Sequence, residues 1–149
     1  MTKRYFDDLP AGFRFETDAQ RLTLDEILDF ARQWDPQPFH TDAAAAADSP
    51  FGGIIASGFH TMLVGFVLTL KAGVWNAASM GSPGMDAIRW LKPVRPDDEL
   101  HVVAEVMSST PSRSKPDRGA TVIRYDVLRG DGETVMSYTA THILRRRPA

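Results

Sequence analysis

Ser57-Gly58-Phe59-His60-Thr61-Met62-Leu63-Val64-Gly65-Phe66-Val67-Leu68-Thr69-Leu70-Lys71 reads as a helix that is apolar on almost every side. A helix without a polar face belongs at the centre of its domain. This one is short and interrupted by Gly58, His60, Thr61 and Gly65, so it does not suit a membrane span. Pro50-Phe51-Gly52-Gly53 ahead of it reads as a turn. The rest of the chain must then supply a surface to bury it. Downstream, residues 85–91, 99–107, 120–128 and 133–144 read as strands, with alternation plain in Leu100, Val102, Ala104, Val106 and again in Ile123, Tyr125, Val127. Pro93, Pro96-Asp97-Asp98, the stretch 111–119 and Gly130-Asp131-Gly132 bound them, the last within a hairpin signal. Upstream, residues 13–22 predict a further strand entered through Pro10-Ala11-Gly12. Strand, helices, then long hairpin-linked strands predict an α+β domain over residues 1–149, an antiparallel sheet with one face covered by the buried helix.

A second helix is signed in detail. Thr23 and Glu26 form a capping box, Leu22 and Ile27 are placed for a hydrophobic staple, and Leu24, Ile27, Leu28, Ala31 and Trp34 follow helical spacing. Pro36 forces its end. There follows Asp35-Pro36-Gln37-Pro38-Phe39-His40-Thr41-Asp42, which predicts a stiff loop, because each proline fixes its own φ and keeps the preceding residue out of the helical region. A carboxylate and an imidazole held on a rigid turn suit proton transfer. The same residues also admit plainer roles, His40 bonding a nearby carbonyl and Asp42 capping the helical run from Ala43 to Ala47. At the start of the apolar helix the first N–H groups lack internal partners and carry the positive end of the dipole, so Ser57 and Gly58 are candidates to hold a developing oxyanion. Ser57 as an N-cap and Gly58 as a close-packing residue is the other reading.

Composition narrows the classes. With 149 residues, 43% hydrophobic and a formal charge of −2, the chain predicts one domain with a real core and gives no electrostatic footprint for nucleic acid. The one basic run, Arg145-Arg146-Arg147, reads as a solvated tail. The absence of cysteine rules out a disulfide framework, a thiolate nucleophile and thiolate metal ligands. Met1 to Asp8 lacks the apolar core of a signal peptide, so no membrane partner and a cytoplasmic location are expected.

Asp35-x-x-Pro38-x-His40, Phe51-Gly52-Gly53-Ile54-Ile55-Ala56-Ser57-Gly58 leading into the apolar helix, and Arg89-Trp90-Leu91-Lys92-Pro93-Val94 followed by Pro96-Asp97-Asp98 together resemble the MaoC-like dehydratases. These are relatives of the (R)-specific enoyl-CoA hydratases with the hot-dog fold, and the resemblance spans nearly the whole chain. It implies a sheet wrapped around a long central helix, and reversible addition of water to a trans-2-enoyl thioester. It further implies Asp35 and His40 as the catalytic pair, with the thioester carbonyl at the N–H of Gly58 beside Ser57. No metal or redox cofactor is implied; coenzyme A enters as part of the acyl-CoA substrate. Fatty acid metabolism and a homodimer or dimer of dimers follow from the same resemblance.

The chain departs from that pattern at Gln37, where the hydratases carry Asn, at Ser57, where they carry His, and at Leu63, where a serine would orient the acid. Thr61 or His60 are the nearby candidates to replace that serine. Arg113, Lys115 and Arg118, between two long strands, are candidates to meet coenzyme A phosphates, with a solvated hairpin as the alternative. Trp75, Trp90 and Met80 are candidates for an acyl tunnel or for core. Two other activities share this scaffold, an acyl-CoA thioesterase and a non-catalytic acyl-thioester binding protein. A metal site from Asp35, His40 and Asp42 is the weakest reading, since the prolines make three ligands on one ion awkward.

Overall fold

The computed structural model of the protein describes residues 3–149. Three long strands, β4 (Glu99–Pro111), β5 (Arg118–Arg129) and β6 (Thr134–Arg145), form the middle of a six-stranded antiparallel sheet. The edge beside β6 is β3 (Gly84–Trp90), and the edge beside β4 is shared by β1 (Arg14–Glu16) and β2 (Gln20–Arg21). The single strand expected over 13–22 is thus two. Thr17 breaks it: its hydroxyl accepts from the Val102 N–H at 2.9 Å and donates to the Asp18 carbonyl, replacing a backbone rung.

The apolar helix, α4 (Gly58–Ala72), lies along the sheet. Gly65 permits the approach, since a Cβ there would sit 3.1 Å from Val127 and 3.4 Å from Val102. The core between them includes Leu68, Leu100, Val102, Val106, Ile123 and Val127. A sheet wrapped on one central helix is the hot-dog fold that the resemblance implied. Expectation and structure part at the helix's outer face. Phe59 is 58% exposed and Leu63 49%, with Phe66 and Val67 open beside them. The chain's own sheet covers one side only, so a helix apolar all round keeps a bare stripe.

α1 (Leu24–Trp34) begins as its sequence predicts, with Thr23 and Glu26 in a reciprocal capping box and both Leu22 and Ile27 fully buried. Trp34, by contrast, is exposed. The basic tail is not free: Arg146 pairs with Asp7 at 3.1 Å and Arg147 pairs with Asp8, tying the last strand to the chain's beginning.

β3 carries a one-residue bulge. Asp86 lies opposite Thr139 and Arg89 opposite Ser137, so three steps on β3 match two on β6. The extra residue is absorbed around Ala87, whose φ of +52° is a conformation that costs a non-glycine residue on the order of 1–2 kcal/mol. The bulge reverses the alternation that follows. Met85 opposite Ala140 and Trp90 opposite Met136 share the helix-facing side, and Arg89 is turned off it.

At the far end of α4, Tyr125 and His142 are buried and share a hydrogen bond of 2.8 Å, with Trp75 against the imidazole at 4.2 Å. Burial pushes the His142 pKa down to about 4. As pH falls, the unfolded chain therefore takes up this proton before the folded one. Stability is full above about pH 6.5 and declines toward pH 4, by about 3 kcal/mol for this group in total. Urea unfolding across that window should show the decline, and His142→Gln, which keeps a partner for Tyr125, should flatten it.

Candidate functional site

Asp35 and His40 meet because two prolines break one helix and start another. α1 stops at Asp35, whose N–H still reaches the Ala31 carbonyl at 2.9 Å. Pro38 opens a single helical turn, α2 (Pro38–Thr41), as the first helical residue, a position that lacks a free N–H requirement. The expected stiff loop is therefore partly helical. Asp42 ends that turn and caps α3 (Ala43–Ala47), accepting from the Ala44 and Ala45 N–H groups at 2.9 and 3.1 Å. Its carboxylate is thereby committed to the cap rather than to the pair.

His40 is buried, and its Nδ1 lies 2.7 Å from the Ile55 carbonyl. A carbonyl oxygen only accepts, so Nδ1 carries a hydrogen. The other nitrogen, Nε2, is left facing Asp35 Oδ2 at 3.3 Å. Unprotonated, it is a base held beside a carboxylate; protonated, it is the cation of an ion pair. Asp35 is held by two further donors, Gln37 Nε2 to Oδ1 at 2.7 Å and Ser57 Oγ to Oδ2 at 2.7 Å. Burial alone pushes the Asp35 carboxyl up. The hydrogen bonds from Gln37 and Ser57, together with the neighbouring imidazole, outweigh it and hold the group below the ordinary carboxylate range.

Ser57 is fully buried and also caps α4, accepting from the Phe59 N–H at 3.3 Å. Its hydroxyl faces the acid, so of the two oxyanion candidates the one with a free donor is Gly58, whose N–H has no partner among the described residues. The acid's orienting serine, absent at Leu63, is thus present six residues earlier. Leu63 is on the exposed stripe. His60 stacks on Phe30 at 4.4 Å with Nδ1 unpartnered, and Thr61 lines the site without a bond to Asp35. These groups open on a cavity of about 420 Å³ walled by Phe51, Ile55, Phe59, Trp90, Leu91 and Val94.

Other expected contacts fall elsewhere. Arg113, Lys115 and Arg118 sit at the tip of the β4–β5 hairpin, where Pro111 pairs with Gly119. The site lies toward the opposite end, where Arg129 reaches the Pro93 carbonyl at 3.1 Å. Eleven residues of strand separate the two ends, on the order of 30 Å. Arg118 is paired with Asp117 at 2.8 Å. Of the three tunnel candidates Trp90 lines the cavity; Trp75 is core beside His142, and Met80 is tied through its N–H to Ile143. Lys92, a cavity residue, was not singled out by sequence; its only mark was a place inside the Arg89–Val94 motif.

A hot-dog domain with an Asp/His pair set at the start of its central helix defines a class of proteins, and the sequence assigns the chain within it. The chain belongs to the MaoC like domain family, whose pattern matches residues 10–127. It is 35% identical over 109 residues to the uncharacterized protein YdeM of Bacillus subtilis, a match covering 73% of this chain and 77% of that one. A MaoC-like dehydratase from Rhodospirillum rubrum superposes with a TM-score of 0.92 at 39% identity, over 98% of this chain and 99% of the other. The unliganded (R)-hydratase PhaJ1 from Pseudomonas aeruginosa shares the fold, with a TM-score of 0.72 at 23% identity over 97% and 86% of the two chains.

Ser57→Ala removes a donor to the ionised carboxyl and should raise the Asp35 pKa, read from the carbon NMR titration of its side chain. The lost cap should cost about 1 kcal/mol as well. An Asp35 pKa that stays put or falls would contradict the role given to Ser57.

Proposed function

We propose that the protein hydrates trans-2-enoyl-CoA thioesters, and catalyses the reverse dehydration, through Asp35 and His40. The observation that carries this is the pairing of a tautomer-fixed His40 Nε2 and an ionised Asp35 with the free Gly58 N–H in one apolar cavity. Addition of water to a conjugated thioester needs a base for the water, an acid for C2 and stabilisation of charge on the thioester oxygen. In this reading Asp35 holds one hydrogen of the water and His40 Nε2 takes the other. The oxygen bonds to C3, electrons move to the thioester oxygen at Gly58, and the proton passes from His40 to C2 as the carbonyl re-forms. Each proton-transfer group is worth ~10² to 10⁴-fold, and an oxyanion donor ~10² to 10³-fold. Membership of the MaoC-like family and the fold shared with an (R)-hydratase support the reaction class.

The same reading includes a homodimer. Its support is the bare stripe of Phe59, Leu63, Phe66 and Val67 beside the open edge of β3. No helix among the described residues is long and apolar enough to cross a membrane.

Crotonyl-CoA and a longer 2-enoyl-CoA should lose their conjugated absorbance on addition of the protein, with (R)-3-hydroxyacyl-CoA as product. Asp35→Asn and His40→Ala should each lower kcat/KM by at least ~10²-fold with the fold retained. Release of free thiol in place of hydration would mark a thioesterase, and binding without turnover a carrier. Sedimentation should give a dimer that Leu63→Arg dissociates; a monomeric wild type would overturn the dimer.

A further inference from the structure

Trp90 owes its position to the bulge at Ala87. Unbroken alternation from Met85 would turn Arg89 toward α4; the extra residue presents Trp90 instead. The indole then meets the start of α4 in three ways. Its Nε1 donates to the Gly58 carbonyl at 2.8 Å. Its ring fills the volume that a side chain on residue 58 would take, since a Cβ there would lie 2.5 Å from Nε1 and 2.6 Å from Cε2. Phe59 backs it edge-on at 5.6 Å between ring centres. Gly58 is at once the residue with the free N–H and the residue whose side-chain space the indole occupies. A residue at 58 with any side chain would expel the indole, and an indole left in place keeps 58 a glycine.

We propose that Trp90 is a specificity-determining wall that restricts the site to acyl thioesters unbranched at C2. The inference rests on the acyl-thioester reading above. A thioester oxygen on the Gly58 N–H puts the carbonyl carbon beside residue 58, with C2 one bond further on. Asp35 and His40 must reach C2 and C3 from the other side. C2 of a 2-enoyl group carries one hydrogen, which fits between the dyad and the wall. A methyl in its place needs room that the indole fills. The indole also lines the cavity with Leu91 and Phe59, so a straight acyl chain keeps apolar contact while a branch meets the ring.

The test uses thioesters that cannot be hydrated, so binding is read without turnover. Calorimetric Kd values for butanoyl-CoA and 2-methylpropanoyl-CoA are measured on wild type, Trp90→Ala and Trp90→Phe, with folding checked by circular dichroism. Wild type should prefer the straight chain by at least tenfold. Trp90→Ala should reduce that ratio to under threefold by gaining affinity for the branched ligand. Trp90→Phe, which loses the N–H and keeps a ring, should retain most of the preference. A wild-type ratio near one, or a ratio unchanged in Trp90→Ala, overturns the proposal. So does equal weakening of both ligands in Trp90→Ala, which would give the indole a merely structural role. Each of these leaves the acyl-thioester reading standing, whereas failure of wild type to bind either thioester overturns that reading and this one with it.

Discussion

The hydroxyl of Ser57 joins the helix to the acid. It accepts from the Phe59 N–H at the start of α4 and donates to Asp35 Oδ2, so the helix start and the loop that carries Asp35 and His40 share one oxygen. The peptide just before it makes the second junction. The Ile55 carbonyl takes the His40 Nδ1–H, and on the opposite side of the same peptide the Ala56 N–H donates to the Val94 carbonyl at 2.8 Å. Residues 55–58 thus act as a template. One side fixes Asp35 and His40, the other fixes the 90–94 segment that carries Trp90, and the end of it supplies the free Gly58 N–H. The template is held against the sheet where Gly65 seats α4 closely on Val102 and Val127, a Cβ there lying 3.4 and 3.1 Å from their methyls.

This arrangement decides the charge of the site. A buried carboxyl without donors would be pushed toward its neutral form. Asp35 is kept ionised by hydrogen bonds arriving from two directions, Gln37 on its own loop and Ser57 on the template. Its charge also lies near the positive end of α4, which favours an anion there. The imidazole between the template carbonyl and that carboxylate therefore has one nitrogen fixed as a donor and one free to exchange a proton. Geometry alone sets the tautomer.

Much of this was legible in the sequence, for reasons that differ by element. The capping box at Thr23 and the cap at Asp42 are local: three or four residues contain the whole interaction. The long strands showed through alternation that one buried face enforces. Asp35, His40 and Gly58 could be picked out because prolines and a glycine mark them. The partner of Asp35 was not legible in that way, since Ser57 is 22 residues distant and looks like an ordinary cap. Nor was the break at Thr17, where a side chain takes over a backbone hydrogen bond, or the pairing of Arg146 and Arg147 with Asp7 and Asp8 from the far end of the chain. The β4–β5 cations illustrate the converse. Their charge was plain in the sequence, but their distance from the site is a property of strand length and register, which composition does not carry.

The edge strand β3 shows how local strain and site shape are connected. A non-glycine residue with positive φ persists only where its surroundings fix it. Here the bulge has two consequences that regular pairing would lack. It interrupts the ladder on an open edge, which limits indiscriminate strand addition. It also exchanges a guanidinium for an indole on the side that faces α4. The strained alanine therefore sets at the helix start a ring that packs against Gly58 and donates one hydrogen bond to its carbonyl, while the positive charge on this wall comes from Lys92, two residues further on.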